Sequence, residues 1–224
     1  MSRPSATRHI EQEARFLIGN LGVYRALTRL RTLEGFAFVK GKRESQRNTY
    51  FDTSGWRLRR GGSVLKWRTV GRRHELIFKQ LLGHRDAVLR HREVSVHLAS
   101  VDPQRIARLV TTEPVRLALR VAGRAPLKPL VTIRTDRRRR VFAVGRQRVE
   151  FDVDRVRVYD GSRIAGERCE VEVENLNARP QVFAEAMAVL QRKYGRGALR
   201  ASTVSKLEFA LGVLRKRRRK LVTV

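Results

Sequence analysis

Carboxylates recur at every second position in two segments of the chain. Glu11 and Glu13 form a pair, and Glu170, Glu172 and Glu174 form a row of three. In a β-strand alternate residues point the same way, roughly 6.5–7 Å apart, so each segment collects like charges on one face. Carboxylate oxygens are ligands for hard divalent cations such as Mg²⁺ and Mn²⁺. The sequence therefore predicts metal binding, unless these glutamates pair with arginines across a solvated sheet.

Basic side chains show the same alternation. Lys66 and Arg68 share one face of their segment, and Leu65 and Trp67 share the other. If a sheet carrying both kinds of row closed into a barrel, one interior would hold acidic and basic stripes together. Such an interior suits a polyphosphate chain that arrives with metal ions, because carboxylates hold the metals and cations donate hydrogen bonds to phosphate oxygens.

The pattern of apolar residues predicts the elements that carry these side chains. Strands precede helices twice along the chain, which favours an α+β fold with a mainly antiparallel sheet. We expect one domain over residues 1–214, followed by a basic tail over residues 215–224. The predicted strands are 10–18, 34–42, 46–52, 64–70, 75–81, 89–98, 130–144, 148–159 and 167–175, and the predicted helices are 20–31, 102–112, 114–121, 180–194 and 206–214.

The composition points to an anionic partner. With 50 Lys and Arg against 21 Asp and Glu among 224 residues, the formal net charge is +29. Nucleic acid, anionic lipid and phosphate-rich small molecules are the ligand classes that such a charge attracts. The tail from Arg215 to Lys220 is either a solvated helix end or a weak binding site for RNA, polyphosphate or an acidic partner.

Cysteine and hydropathy limit the remaining possibilities. Cys169 is the single cysteine, which excludes an intramolecular disulfide and a cysteine-based zinc site. No segment approaches the about 20 apolar residues of a membrane span, and residues 1–13 lack the apolar core of a signal peptide. We therefore expect a cytoplasmic protein, without a membrane partner, that is a monomer or a homodimer. The five histidines show no metal-ligand spacing and are expected at the surface.

Several motifs, taken in order, resemble one known family. The segment Glu11-x-Glu13-x-Arg15 is similar to the Glu-x-Glu-x-Lys signature that opens the CYTH superfamily, the triphosphate tunnel metalloenzymes. The likeness extends over roughly residues 10–211 and includes the segment Tyr50-Phe51-Asp52-Thr53 and the pair Ser205-Lys206.

Three positions depart from the family pattern. Arg15 stands where lysine is usual, and its planar guanidinium would contact phosphate differently from a compact ammonium. His91 replaces a common arginine, and Ser95 replaces a second carboxylate that many members have.

The resemblance implies a closed eight-stranded antiparallel β-barrel, a tunnel, with flanking α-helices. It also implies a triphosphate-bearing substrate and a requirement for Mg²⁺ or Mn²⁺. The residues implied as catalytic are Glu11, Glu13, Glu170 and Glu172. The implied metal ligands are Glu11, Glu13, Glu93, Asp152, Asp154, Glu170, Glu172 and Glu174, with the choice between the two aspartates left open. The implied phosphate-binding residues are Arg15, Lys66, Arg68, Lys79, Arg134 and Lys206.

Three functions follow as hypotheses. The first is metal-dependent hydrolysis of inorganic tripolyphosphate or short polyphosphate. The second is cyclisation of ATP to cyclic AMP, and the third is non-catalytic binding of polyphosphate or RNA. The run from Arg137 to Arg140 must divide between the two faces of its strand, with two side chains inside the tunnel and two outside.

Overall fold

Nine strands and five α-helices make up the described part of the chain. The computed structural model describes residues 5–98, 106 and 109–222. The strands are β1 (Thr7–Ile18), β2 (Ala37–Asp52), β3 (Ser63–Val70), β4 (Arg73–Arg85), β5 (Val88–Leu98), β6 (Lys128–Val144), β7 (Gln147–Asp160), β8 (Arg163–Asn175) and β9 (Leu199–Ala201). The helices are α1 (Leu21–Thr28), α2 (Arg57–Arg60), α3 (Glu113–Ala122), α4 (Pro180–Tyr194) and α5 (Lys206–Val222).

The first eight strands close into an antiparallel barrel. The order is β5-β4-β3-β2-β6-β7-β8-β1, and β1 also pairs with β5, which completes the ring. The short strand β9 adds to β1 at Phe16–Ile18, beyond Ala14, the last residue of β1 that pairs with β5. The α+β barrel with flanking helices that the resemblance implied is confirmed. None of the described helices is both long and apolar enough to cross a membrane.

One long strand replaces two predicted ones. The segments 34–42 and 46–52 belong together in β2, which pairs with β6 over nearly its whole length. The polar residues Glu44, Gln46 and Asn48 broke the apolar pattern, yet all three are buried because they lie on the inner face of the barrel. A 17-residue partner strand keeps β2 hydrogen-bonded through this polar stretch.

The helices agree with prediction in part. Residues 114–121 form α3, and 180–194 form α4, as predicted. The predicted helix 102–112 lies largely outside the described residues. Helix α1 ends at Thr28, three residues earlier than predicted, and Asn20 caps its start by accepting a hydrogen bond from the Val23 amide (2.8 Å). Helix α5 continues through the segment predicted as a separate tail.

Apolar residues on the outer faces of the strands fix which side chains point inward. Helix α4 covers one outer face, where Phe16, Phe151 and Val171 are buried. Helix α3 covers another, where Leu65 and Trp67 are buried. Because side chains alternate along a strand, the charged neighbours of these residues face the barrel interior.

A third apolar cluster closes one end of the interior. On β6 and β7 the inward side chains change from charged to apolar, and Ile133, Val156 and Val158 pack against Leu207 and Ala210 of α5. The N-terminus of α5 is fixed by a capping box. The Ser205 hydroxyl accepts a hydrogen bond from the Glu208 amide (3.1 Å), and the Glu208 carboxylate accepts one from the Ser205 amide (3.2 Å). This arrangement holds Lys206 at the closed end.

Asp52 holds the loop after β2 and the start of α2 in place through backbone hydrogen bonds. Its buried carboxylate accepts hydrogen bonds from the backbone amides of Thr53 (2.6 Å), Leu58 (2.9 Å) and Arg59 (3.0 Å). We expect Asp52→Ala to lower the free energy of unfolding by about 1–3 kcal/mol, since buried amides lose their partner. Urea denaturation at neutral pH measures this. Asp160→Ala is the control, because Asp160 is half-exposed and should contribute no more than about 1 kcal/mol. Equal losses in both variants would contradict the anchoring role.

Candidate active site

The barrel interior is a polar tunnel whose charged walls come from seven strands and the start of α5. The cavity has a volume of about 340 Å³. On β1, Glu11, Glu13 and Arg15 face the cavity because Ala14 and Phe16 pack into the outer core. The charged residues that line the cavity are Glu11, Glu13, Glu93, Glu150, Glu172, Glu174, Arg15, Lys66, Arg68, Lys79, Arg137, Arg139 and Lys206.

Among the residues that the structure describes, three groups of side chains bring potential metal ligands together. Within each group one oxygen or nitrogen atom per residue lies within 4.8 Å of the others. The groups are Glu11–Glu13–His91, Glu150–Asp152–Glu174 and Asp154–Glu170–Glu172.

The Asp154–Glu170–Glu172 group is neutralised by the protein's own cations. The Glu172 carboxylate accepts hydrogen bonds from Arg15 (2.9 Å) and Arg137 (2.8 Å) and lies 2.8 Å from the Lys206 ammonium. Burial opposes ionisation, yet Lys206, Arg15 and Arg137 together hold the pKa of Glu172 well below its usual range. Glu170 lies 2.6 Å from the Lys206 ammonium. These carboxylates therefore keep the cations in place.

The Glu150–Asp152–Glu174 group has an excess of negative charge. Burial, with Glu11, Glu150 and Asp152 nearby, raises the pKa of Glu174 to about 8. Burial also raises the pKa of Asp152 to about 7, despite the attraction of Arg137 and Arg139. A bound cation would relieve both effects, and an all-carboxylate donor set suits Mg²⁺ or Mn²⁺. The residues present therefore fit the divalent metal that the resemblance implies.

At Lys66 the imbalance is of the opposite sign, because positive charge is in excess there. Burial and the nearby Arg68 lower the pKa of Lys66 to about 7, and within the described part of the chain its ammonium forms no ion pair. Lys79 differs, because its ammonium lies 2.5 Å from Glu11 and 3.0 Å from Glu13, and these carboxylates raise its pKa against the effect of burial. An anion in the tunnel would stabilise the charged form of Lys66.

The lowered pKa of Lys66 should make anion binding depend on pH. Below about pH 7 its ammonium is charged in the free protein; above that pH it loses its proton, so anion binding must recharge it. Because the protonated fraction of Lys66 falls about tenfold per pH unit above 7, we expect the KM for an anionic substrate to rise by the same factor. In Lys66→Met the KM should be high and should lose this rise.

The matching control is Lys40→Met, an exposed lysine of β2 outside the tunnel lining. Steady-state kinetics from pH 6 to pH 9, on the order of one measurement per half unit, compares the three proteins. A slope that persists in Lys66→Met would assign the titration to another group.

The structure brings nearly all the sequence-predicted site residues together, with Arg134 as the exception. Arg134 is exposed, and its guanidinium stacks 4.9 Å from the centre of the Tyr159 ring. Its predicted place in the tunnel is wrong. Arg137 and Arg139 of β6 face inward, and Arg134, an odd number of residues away from both, therefore lies on the opposite face of the strand. The predicted residues that do meet are Glu11, Glu13, Glu93, Asp152, Asp154, Glu170, Glu172, Glu174, Arg15, Lys66, Arg68, Lys79 and Lys206.

The expected division of the arginine run is found. Arg137 and Arg139 face inward, and Arg140 points outward, donating a hydrogen bond to the Thr28 carbonyl on α1. Arg138 shares the outward face of Arg140. Arg137 donates to both carboxylate oxygens of Asp154, at 2.8 and 2.6 Å.

His91 and Glu150 line the tunnel, although neither was predicted as a site residue. His91 was expected at the surface, but its Nδ1 atom lies 4.0 Å from the Glu13 carboxylate, and burial, together with Lys79, lowers its pKa to about 4. Its spacing of two residues from Glu93 was the available signal, since both then share one strand face. Glu150 stands two residues before Asp152, which carries the same signal.

Comparisons with known proteins agree with this geometry. The model of the CYTH domain matches residues 9–201. The Hippeastrum protein HpAC1 has a similar structure, with a TM-score of 0.66 and 19% identity over 90% of this chain and 95% of that one. PH1819 of Pyrococcus horikoshii has a TM-score of 0.55 and 17% sequence identity, and the match covers 90% of this chain and 98% of that one. The bh2851 protein of Bacillus halodurans has a TM-score of 0.53 and 20% identity, and the match covers 83% of this chain and 90% of that one. No curated protein sequence matches the chain.

The family match covers far more than half of the sequence, and the acidic and basic rows that carry the family resemblance line one tunnel. The chain therefore belongs to the CYTH domain family.

Proposed function

We propose that the tunnel hydrolyses the terminal phosphoanhydride bond of a triphosphate-bearing compound, with inorganic tripolyphosphate or short polyphosphate as the preferred substrate and Mg²⁺ or Mn²⁺ as cofactor. Water attacks the terminal phosphorus, the bond to the bridging oxygen breaks, and orthophosphate and a shortened chain leave. The Hippeastrum neighbour, described as an adenylyl cyclase with a dominant triphosphatase activity, has the same fold.

One observation carries this proposal: the described tunnel lining gathers carboxylates at one place, in the Glu150–Asp152–Glu174 group, and places the cations Lys66 and Arg68 on one face of β3 at another. Glu174 and Asp152 have raised pKa values because they share a buried site with other carboxylates. Lys66 has a lowered pKa because it is buried beside Arg68. A complex of a divalent cation with a polyphosphate brings both missing charges at once, so it fits this interior better than either ion alone.

The side chains divide into two sets by their contacts. Glu150, Asp152 and Glu174 would hold a metal, with Glu11, Glu13 and Glu93 as further ligands. When bound, Mg²⁺ or Mn²⁺ would neutralise the charge on the phosphate oxygens. Lys66, Arg68 and the other tunnel cations bind phosphate oxygens directly.

Asp154, Glu170 and Glu172, predicted as metal ligands or catalytic residues, are better assigned a positioning role. They pair with Arg15, Arg137 and Lys206 and hold these cations toward the tunnel. Fixed charges of this kind stabilise a phosphoryl-transfer transition state without needing to reorganise.

Release of orthophosphate from tripolyphosphate tests the proposal. A colorimetric phosphate assay compares Mg²⁺, Mn²⁺ and chelator, and we expect release only with a divalent cation. Metal-independent binding of polyphosphate without release would favour the non-catalytic alternative, and its affinity would fall steeply with salt.

ATP cyclisation is the second candidate. Its support is that two proteins of similar fold are described as candidate adenylyl or adenylate cyclases. Mass spectrometry of the products from ATP separates the reactions, because hydrolysis yields ADP and orthophosphate whereas cyclisation yields cyclic AMP and pyrophosphate. Cyclic AMP as the main product would overturn the first assignment.

Localisation and assembly complete the proposal. A single cysteine fits a reducing cytoplasm, and we propose a cytoplasmic monomer or homodimer. Cell fractionation and light scattering coupled to gel filtration test these two points.

A further inference from the structure

A second cavity lies outside the tunnel. It is a groove of about 720 Å³ between the loop that follows β2, the start of β6 and one side of α5. None of the described residues that line this groove also lines the tunnel. Its walls include Trp56, Arg59, Lys128, Leu211, Leu214 and Arg215.

Trp56 is held in this groove in an unusual backbone conformation. Its φ and ψ angles are 57° and 37°, in the left-handed region that bulky residues avoid. The surrounding contacts enforce this conformation, because the Trp56 amide donates to the Thr53 carbonyl (3.0 Å) and the Arg57 amide donates to the Thr53 hydroxyl (3.1 Å). Backbone strain maintained in this way is concentrated at functional sites.

The indole ring is available to a ligand. Trp56 remains 36% exposed, whereas the chain's other tryptophan, Trp67, is 2% exposed in the core. Within the described ranges, no aromatic ring or guanidinium stacks on Trp56, although other rings of the protein have such partners. An exposed, rigidly presented indole is a stacking surface for a planar ring.

The charges around the indole favour an anion. Arg59, Lys128 and Arg215 are exposed cations of the groove. One carboxylate, Glu208, also lines it; it lies 3.9 Å from Arg59 and takes part in the capping box of α5. A groove with three cations, one carboxylate and an aromatic ring matches a chain that alternates phosphates with planar bases.

We propose that this groove binds single-stranded nucleic acid, with a base stacked on Trp56 and backbone phosphates on Arg59, Lys128 and Arg215. The site is separate from the proposed hydrolysis in the tunnel. Inorganic polyphosphate could contact the same cations, but it has no ring to place on the indole, so the two ligands can be told apart.

Fluorescence anisotropy with labelled oligonucleotides tests the proposal on the full chain. The probes are cytidine RNA and deoxycytidine DNA of about 12 nucleotides, which carry the same base, without a 5′-triphosphate and with chelator present, so that the tunnel reaction plays no part. Trp56→Gly removes the ring and suits the left-handed backbone. We expect its affinity for the better probe to fall roughly 5- to 100-fold, while its melting temperature is unchanged or higher.

Three further variants make the test more specific. Trp56→Phe keeps an aromatic face and should retain most of the affinity. Arg59→Ala should weaken binding of the oligonucleotide and of inorganic polyphosphate. Arg146→Ala is the control, because Arg146 is exposed but lies outside the groove; it should lower both affinities only by the general effect of one lost charge.

The outcomes are distinct. Loss of oligonucleotide affinity in Trp56→Gly, with unchanged polyphosphate affinity and unchanged tripolyphosphate hydrolysis, supports the proposal; the better of RNA and DNA then identifies the preferred sugar. Unchanged oligonucleotide affinity in Trp56→Gly overturns it, as does equal loss for oligonucleotide and inorganic polyphosphate. Failure of the tunnel proposal would instead appear as absent phosphate release in the wild type.

Discussion

The double variant Glu11→Gln, Glu13→Gln should lose tripolyphosphate hydrolysis by roughly 1000-fold, the scale on which removal of preorganised charge lowers kcat. The two carboxylates face the tunnel from β1 and form one group of potential metal ligands with His91. Glutamine keeps the size of each side chain but provides a neutral amide, which is a much weaker ligand for Mg²⁺ or Mn²⁺.

The same substitution also frees a cation. The Lys79 ammonium lies 2.5 Å from Glu11 and 3.0 Å from Glu13, so the variant leaves it without these charged partners. Folding must therefore be checked by thermal unfolding beside each activity measurement. The control is Glu167→Gln, since Glu167 lies on β8 but pairs with Arg155 and Arg157 rather than facing the cavity. A folded double variant with wild-type phosphate release would refute the role of the tunnel carboxylates.

Arg137→Met should be the most destabilising substitution in the tunnel. The guanidinium contacts Asp152, Asp154 and Glu172, and all four side chains are buried. Without it, three carboxylates share a site of low polarity, and removing one partner from a buried ionic network lowers the free energy of unfolding by about 3–5 kcal/mol. Urea denaturation at neutral pH gives the value.

The sign of the pH effect distinguishes this cause from lost packing. In the variant Asp152 keeps Arg139 but loses Arg137, so its pKa, already raised to about 7 by burial, rises further above the unfolded value. The destabilisation is then complete above the raised pKa and shrinks as the pH falls and Asp152 binds a proton. Arg138→Met is the matched control, because Arg138 is the next residue and faces outward. Equal losses in both variants, or a loss independent of pH, would contradict the electrostatic explanation.

The fold was predictable because each tunnel strand alternates charged and apolar residues. On β1, Glu11, Glu13 and Arg15 alternate with Ala14 and Phe16, so the packed face identifies the tunnel face. The same holds for Lys66 and Arg68 beside Leu65 and Trp67. In such segments, burial of the apolar face fixes the orientation of the charged one.

The orientation of β6 was not predictable in this way. Ile133 faces the interior, where α5 closes the barrel with an apolar cluster. Elsewhere in the barrel the apolar side chains of a strand face outward, so the orientation is reversed at this end. Arg134 then points outward although it is the polar neighbour of a buried residue. Farther along β6, residues 137–140 are all arginine, so no alternation of charged and apolar residues indicates which of them face inward. Arg137 can be recognised as a tunnel residue only from its contacts with Asp152 and Asp154.

The residue pattern was enough to predict the kind of chemistry: rows of like charge with a period of two, from distant segments, that require both a cation and an anion. The closed barrel was needed to show which charges neutralise one another, as at Glu172, and which are incompletely neutralised, as at Lys66 and Glu174. The two kinds of information differ because the interactions behind them act over different distances along the chain. Alternation along a strand is set by local backbone geometry, whereas a charge is neutralised by whichever strand the closed barrel places opposite it.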